Sequence, residues 1–252
     1  MVSSSASKPP ALRGRVVVIT RPAGTAAALA RRVRASGGVP LLLPGLSLRG
    51  TGDPALCAAL RTALGDDLLV FASPAAARFA AALAPLRTQA TVLAVGQGTA
   101  QALRRHGVRA LAPSRQDSEG VLDLPATHDL CGVRVALVGA PGGRGLLREQ
   151  LAARGARLRE VPVYRRVPPR LDRRHVEALL ALPRSARVLL SSAEALHNLV
   201  HLLPPPALRH LRAAVAVASS ARLAQAAGEA GFARVVQAGS ALAADLLDAA
   251  AR

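Results

Sequence analysis

Short apolar runs alternate with amphipathic segments along the whole chain, and this alternation predicts β-strands that are each followed by an α-helix. In the first half, strands are predicted at 15–19, 39–43, 67–71 and 91–95. Helices are predicted at 25–36, 53–64, 74–83 and 99–106, and a short helix starts near 117–120. Glycine, proline and capping residues such as Asp53 lie at the predicted ends of these elements.

The second half repeats this order. Strands are predicted at 133–138, 157–164, 187–191, 213–218 and 234–237, and helices at 144–154, 172–182, 193–203, 221–230 and from Ser240 onward. Strands that alternate with helices at such short spacing favour an α/β fold with parallel, doubly wound sheets.

An internal repeat divides the chain. Without gaps, the segment 135–162 matches the segment 17–44 in strand, helix, glycine stop and second strand, and Pro162 falls on Pro44. We therefore expect two similar α/β lobes joined by a pair of proline-marked linker strands, with a cleft between them.

Composition narrows the choice of partner. Of the 252 residues, 51% are apolar and only 2% aromatic, so each lobe can bury a core of Leu, Val and Ala. The formal charge of +18 favours an anionic partner. Nucleic acid is disfavoured, since the arginines are scattered and there are almost no aromatic side chains to stack on bases.

Other features bear on the compartment. Cys57 and Cys131 lack metal-ligand spacing and are expected to be buried free thiols in a reducing environment. The first thirteen residues resemble a disordered tail rather than a signal peptide. No apolar run approaches the roughly 18 residues that cross a bilayer. We expect a cytoplasmic monomer without membrane contact.

Ligands of doubly wound sheets bind beyond the carboxyl ends of the strands. Those positions carry small residues, hydroxyls and arginine: Thr20-Arg21, Ser73, Gly96 to Thr99, Gly139 to Arg144, Ser191-Ser192 and Ser219-Ser220. Turns of this kind expose backbone N–H groups that bind carboxylates and phosphates. Each turn alone is explained equally well as an ordinary strand-to-helix connection, but together with Arg21 and Arg144 they favour an anion site.

The same positions hold no histidine or acid. The six histidines fall in helices or loops, so neither a metal site nor a Ser-His-Asp triad is predicted, and no cofactor is expected. One alternative is a dinucleotide site, since the glycine-rich run 139–145 follows a strand and Glu160 ends the next strand. The spacing is not G-x-G-x-x-G in any register, because Pro141 and Arg148 occupy glycine positions.

Several motifs, in order, resemble the uroporphyrinogen-III synthase family of tetrapyrrole biosynthesis over about residues 14 to 250. They are Ile19-Thr-Arg-Pro22, Phe71-Ala-Ser-Pro-Ala75, Val95-Gly-Gln-Gly-Thr-Ala100, Asp117-Ser-Glu-Gly120, Gly142-Gly-Arg144, Val163-Tyr-Arg165, Ser191-Ser-Ala-Glu-Ala195 and Ser220-Ala-Arg222. Each motif is weak alone, and their order and spacing carry the specificity.

The resemblance implies that the chain begins one lobe, crosses to build the second and then returns. Lobe 1 would comprise 1–44 and 166–252, and lobe 2 would comprise 45–165. The linker strands would lie near 39–46 and 160–167.

The resemblance also implies a substrate and a reaction. The family acts on hydroxymethylbilane, a linear tetrapyrrole with two carboxylates per ring. It releases the hydroxyl, inverts the last ring through a spiro intermediate and closes uroporphyrinogen III without a cofactor. An enzyme of this kind works mainly by positioning its substrate and excluding water.

Site residues follow from the strand ends and from the family. Tyr164 matches a family tyrosine and is the candidate that assists the departing hydroxyl, with a packed structural aromatic as its alternative role. The predicted substrate-binding residues are Arg21, Ser73, Gly96, Thr99, Arg144, Ser192 and Ser220. Gly139 departs from the family, in which arginine is common at this position. A non-enzymatic, two-lobed anion-binding protein remains the alternative function.

Overall fold

The computed structural model describes residues 11–142 and 145–252. The strands are β1 (Val16–Ile19), β2 (Val39–Leu42), β3 (Ser47–Gly50), β4 (Leu68–Phe71), β5 (Thr91–Ala94), β6 (Arg134–Gly139), β7 (Arg157–Pro162), β8 (Tyr164–Val167), β9 (Arg187–Leu190), β10 (Val215–Ala218) and β11 (Arg234–Gln237).

The helices are α1 (Ala27–Ala35), α2 (Pro54–Ala63), α3 (Pro74–Leu83), α4 (Gln97–Arg104), α5 (Ser118–Leu122), α6 (Gly145–Ala153), α7 (Arg173–Leu180), α8 (Ala193–Leu202), α9 (Pro205–Ala213), α10 (Ala221–Glu229) and α11 (Ala243–Ala251). A short 3₁₀ turn covers Pro125–Thr127. Asp53 caps α2 as predicted, since its carboxylate accepts the Ala55 N–H at 2.8 Å.

Two compact units make up the chain. Unit 1 comprises the residues up to Ser47 together with Val167–Arg252, and unit 2 comprises Leu48–Arg166. Unit 1 contains a parallel sheet of order β11-β10-β9-β1-β2. Unit 2 contains a parallel sheet of order β5-β4-β6-β7. Strands β3 and β8 pair with each other where the chain leaves unit 1 and where it returns.

Helices cover both faces of each sheet. Successive residues of the central strands point to opposite faces and pack into different apolar clusters. In unit 1, Val188 and Leu190 of β9 join one apolar cluster and Leu189 joins another. In unit 2, Leu69 and Phe71 of β4 pack on one side. Leu68 and Val70 of the same strand pack on the other side. The predicted class, two doubly wound parallel α/β lobes with a chain that crosses out and back, is confirmed.

The predicted strand 157–164 is in fact two strands. Pro162, paired with Gly139, ends the β7 ladder, because proline has no N–H to donate. The Val163 N–H instead binds the Val161 carbonyl at 2.9 Å, a tight turn in which Val163 is fully buried. Tyr164 therefore starts a new strand that pairs with β3 rather than with β6.

Further elements differ from the prediction. Residues 213–218 are not all strand, because α9 runs to Ala213 before β10 begins. No element was predicted at 204–212, yet proline suits the first turn of a helix, and α9 buries Leu208 and Leu211. Strand β3 was not predicted, α4 starts at Gln97 rather than Thr99, and α11 starts at Ala243 rather than Ser240.

Two expectations about single residues were wrong. The predicted disordered tail lies outside the described residues up to position 10, but it also included Leu12, which is fully buried. The Leu12 N–H binds the Ser36 carbonyl at 2.9 Å.

Both cysteines are free, yet Cys57 is only half-buried and Cys131 is exposed. Cys131 lies in a surface turn where its N–H binds the Asp129 carboxylate.

A close approach between Gly45 and α8 offers a test of the unit 1 packing. A Cβ atom added at Gly45 would lie 2.5 Å from the Ala195 Cβ and 2.8 Å from the Ala195 carbonyl oxygen. The Gly45 carbonyl also accepts a hydrogen bond from Asn198 at 2.9 Å. Gly45→Ala should therefore lower the free energy of unfolding by about 1–3 kcal/mol, the usual effect of overpacking.

Gly228→Ala is the matched control in the same unit. Gly228 lies inside α10, and an added Cβ meets nothing within 4 Å. That substitution should stabilise the protein by roughly 0.5–1 kcal/mol, as alanine does in place of glycine in a helix. Urea unfolding of both variants measures the difference, and a Gly45→Ala protein as stable as the parent would contradict the packing described.

Candidate functional site

Tyr164 is held from two sides. Its ring stacks on Phe79 of α3 with centroids 5.3 Å apart and an interplanar angle of 19°. The residue is 8% exposed and belongs to the main apolar cluster of unit 2. The Tyr164 ring is therefore packed into the apolar core, as in the structural role that the sequence analysis gave as its alternative. These contacts hold the ring in place without a ligand.

The Tyr164 hydroxyl meets Ser73 at the start of α3. The two side-chain oxygens lie 3.0 Å apart, and either hydroxyl can be the donor. Ser73 is the N-cap of α3, and its Oγ accepts the Ala76 N–H at 3.0 Å. The phenol therefore lies at the positive end of a helix dipole, linked to it through one serine.

A cavity of about 550 Å³ opens beside this pair in unit 2. It lies at the carboxyl edge of the sheet, where its walls include the ends of β4, β5, β6 and β7. Residues 139–142, which start at the last residue of β6, line one side, and Ser73 and Tyr164 line another. The volume is in the range of small-ligand sites, and the location is the one expected for doubly wound sheets.

Charged residues outside the predicted substrate-binding set also line the cavity. Arg148 of α6 pairs loosely with Glu160 of β7 at 3.9 Å. Arg166 donates through Nη2 to the Gly142 carbonyl at 3.1 Å. Asp117 contributes to the wall as the N-cap of α5 and accepts the Gly120 N–H at 2.7 Å. The Asp117 motif and the Tyr-Arg-Arg run were both visible in the sequence.

Gly96 and Thr99 belong to the same edge of the unit 2 sheet, after β5. Gly96 is the N-cap of α4, and the next N–H, that of Gln97, binds the Gln116 side chain at 3.0 Å. Thr99 is 3% exposed, in the first turn of α4. Gly96 thus shapes a turn, whereas the Thr99 side chain is largely withdrawn from solvent.

Arg21, Ser192 and Ser220 lie together in unit 1. They follow β1, β9 and β10, which are adjacent in the sheet, so all three occupy its carboxyl edge. Ser192 and Ser220 are the N-caps of α8 and α10, and their Oγ atoms accept N–H groups at 3.2 and 3.3 Å. The helix starts at this edge leave N–H groups that the helices themselves cannot satisfy.

Arg21 provides a cation at the unit 1 edge. Burial lowers the pKa of its guanidinium. Within the described residues, its buried Nε atom has no hydrogen-bond partner, and its Nη2 makes a long bond of 3.4 Å to the Ala241 carbonyl. A desolvated cation with an unsatisfied donor suits an incoming carboxylate.

Arg144 lies outside the described residues. Gly139, at the end of β6, would place an added Cβ 3.2 Å from the Ala72 Cβ, so a larger side chain fits here only if its neighbour shifts.

Among the residues that the structure describes, no group of three or more His, Cys, Asp or Glu side chains is placed to hold a metal ion. No helix in the described part of the chain is long and apolar enough to cross a membrane.

Taken together, these features define a protein of two doubly wound α/β units whose strand ends carry amides, hydroxyls and arginine suited to an anionic ligand. The family model described as Uroporphyrinogen-III synthase HemD matches residues 27–248. The chain belongs to the uroporphyrinogen-III synthase family.

Individual relatives agree with this assignment. The chain is 33% identical to a uroporphyrinogen-III synthase of Salmonella typhimurium over 86% of this chain and 92% of the relative. It is 30% identical to that of Escherichia coli over 75% of this chain and 80% of the relative.

Solved structures show the same fold. A uroporphyrinogen-III synthetase from Helicobacter pylori aligns with a TM-score of 0.61 at 16% identity, covering 93% of this chain and 97% of that one. A mutant uroporphyrinogen III synthase from Thermus thermophilus aligns with a TM-score of 0.57 at 22% identity, covering 93% and 96%.

The Ser73–Tyr164 contact predicts an energetic coupling that unfolding can measure. Ser73→Ala removes the α3 cap, which costs about 0.5–2 kcal/mol, and leaves the mostly buried phenol hydroxyl without its partner. In a Tyr164→Phe background, only the cap term should remain. The double-mutant cycle should therefore give a coupling of about 1 kcal/mol. Coupling indistinguishable from zero by urea unfolding would mean that the hydroxyl contact contributes no stability.

Proposed function

We propose that the chain is a uroporphyrinogen-III synthase, which closes hydroxymethylbilane to uroporphyrinogen III and releases water. Family membership supports this assignment. In the molecule, it rests chiefly on one observation. The Tyr164 hydroxyl, bound to Ser73, lies at the wall of a cavity at the carboxyl edge of the unit 2 sheet.

The strand ends would bind the substrate's carboxylates. Helix starts at Ser73, Gly96, Ser192 and Ser220 offer backbone N–H groups, and Arg21 offers a desolvated cation. Arg144, at the residues before α6, is a further candidate. Many weak contacts to a flexible polyanion fix its shape, so that the two reacting ends meet.

Tyr164 would act on the leaving group. Its phenol O–H can serve as a proton donor. The hydroxyl of the substrate takes that proton and departs as water, which leaves a cation on the substrate. When the last ring closes, its attacking carbon loses a proton, which restores the phenol. If the Ser73 hydroxyl donates to the phenol oxygen, the Tyr164 O–H remains free to point at the substrate.

The comparisons do not support the two alternatives raised by the sequence. A non-enzymatic anion-binding protein would bind the same ligand without converting it. A dinucleotide site would need the Glu160 carboxylate for a ribose, whereas Glu160 instead faces Arg148. We further expect a monomer that works in the cytoplasm and does not bind nucleic acid or need a cofactor.

Product analysis tests the proposed function. The purified protein, given freshly generated hydroxymethylbilane, should yield the type III isomer, whereas spontaneous closure without ring inversion gives type I. Heat-denatured protein is the control for the spontaneous reaction. An isomer ratio equal to that of the control would overturn the proposal.

Tyr164→Phe tests the chemical role of the hydroxyl. The ring and its stacking on Phe79 remain, and only the donor is lost. We expect kcat to fall by roughly 10²–10⁴-fold, the range for a lost general acid, with the type III isomer still favoured. Tyr164→Ala should also lose stability, by about 3–5 kcal/mol. Wild-type kcat in the Phe variant would leave Tyr164 with a structural role alone.

Arg21→Ala tests the anion site. The loss of a charged hydrogen bond should weaken substrate binding by about 1.5–3 kcal/mol. KM should rise accordingly, with a smaller effect on kcat. KM of the parent should also rise with salt. Arg31→Ala, which removes an equal charge from the exposed face of α1, is the control and should leave KM nearly unchanged. Equal KM values for both variants and the parent would contradict the role of Arg21.

A further inference from the structure

A second cavity of about 780 Å³ lies at the other end of the unit 2 sheet. One wall is the segment 85–90, which leads into β5, and the other is the segment 106–109, which follows α4. Val92 and Val108 also line this cavity, and both are buried. The cavity described above lies beyond the carboxyl ends of the strands, whereas this one lies at the amino end of β5, so they are separate sites.

Both walls are held in place without a ligand. Thr88 donates to the Leu64 carbonyl at 2.7 Å and accepts the Ala90 N–H at 3.0 Å. Across the cavity, Gly107 lies just after α4 with φ of 79°, a left-handed conformation that favours glycine. The Val108 N–H then returns to the Leu103 carbonyl at 3.1 Å. A ligand would therefore meet a preformed backbone and would have to order only the side chains that it contacts.

The two walls carry basic side chains without acidic partners. Arg87 comes from one wall, and His106 and Arg109 come from the other. All three are exposed, and in the described part of the chain none of them makes an ion pair or a side-chain hydrogen bond. The sequence contains no Asp or Glu between Asp67 and Asp117, so no nearby acid along this stretch offsets their charge.

Helix stability does not account for these side chains. Arg104, in the last turn of α4, and Arg105, at its C-cap, are placed where cations favour a helix end. Arg87 and Arg109 lie outside any helix. That both line one cavity is thus not explained by the helix.

We propose that this cavity binds a small multivalent oxyanion, a di- or tricarboxylate or a pyrophosphate, held between Arg87 and Arg109 with His106 beside them. Planar guanidinium groups bind carboxylate and phosphate oxygens in pairs. This proposal does not depend on the cyclisation reaction.

Citrate and pyrophosphate serve as probes, followed by calorimetry and by amide NMR of the full-length protein. We expect saturable binding of at least one probe, with shifts at 86–90 and 106–109 that exceed those at 139–142. The stronger probe identifies whether carboxylate or phosphate is preferred. Absence of saturable binding by both probes, or shifts confined to the first cavity, would overturn the proposal.

Two double variants separate a built site from general positive charge. Arg87→Ala/Arg109→Ala should weaken probe binding by about tenfold or more, as expected for lost charged hydrogen bonds. Arg104→Ala/Arg105→Ala removes the same charge from the same acid-free stretch without touching the cavity walls, and should change affinity by less than about twofold. Equal losses in the two variants would show that only the net charge matters, and the site would be rejected.

Discussion

The tight turn at Val163 is the constraint on which the candidate site depends. Pro162 cannot extend the β7 ladder, and the Val163 N–H closes on the Val161 carbonyl. The chain therefore leaves the sheet, and the next residue, Tyr164, stacks on Phe79 and reaches Ser73 with its hydroxyl. A continuous strand through this point would carry Tyr164 along the edge of the sheet instead.

The sheet order then decides what surrounds that hydroxyl. In unit 2, β4 lies between β5 and β6, so the turns that follow these three strands meet at one edge. Unit 1 uses the same arrangement, with β9 between β10 and β1. Each sheet thus gathers helix starts at its carboxyl edge, and helix starts bind anions. The chemistry proposed here needs little more than these amides, a few arginines and one phenol.

Much of the fold could be predicted because the strands are short, apolar and bounded by glycine or proline. The repeat of 17–44 in 135–162 exposed the two related units. The break at Val163 was not predicted, because Pro162 was placed inside the strand 157–164, whereas it ends the β7 ladder. Helix α9 was not predicted, because the prolines at 204–206 are as typical of a loop as of the first turn of a helix.

For the site, the strand-end rule identified Ser73, Ser192 and Ser220, and the structure shows why serine stands there: each caps the helix that follows. That cap is also the ordinary structural reason for a serine, so the pattern alone cannot separate capping from binding. Arg148 and Arg166 of the cavity wall were not predicted as site residues, and Glu160 was considered only as the acid of a dinucleotide site, because charged residues on a helix or a strand are most often solvent-facing. Only the packing of α6 against β7 brings Arg148 to Glu160.

The central claim is that the Tyr164 hydroxyl faces the bound tetrapyrrole, and the chain offers a direct test. Tyr164 is the only tyrosine, so protein labelled with ¹³C-tyrosine gives a single ring resonance. Titration with uroporphyrin III, the stable oxidised form of the proposed product, should shift that resonance saturably and in parallel with binding measured by fluorescence. A resonance that stays unchanged while the porphyrin binds would place the ligand away from Tyr164 and contradict the account.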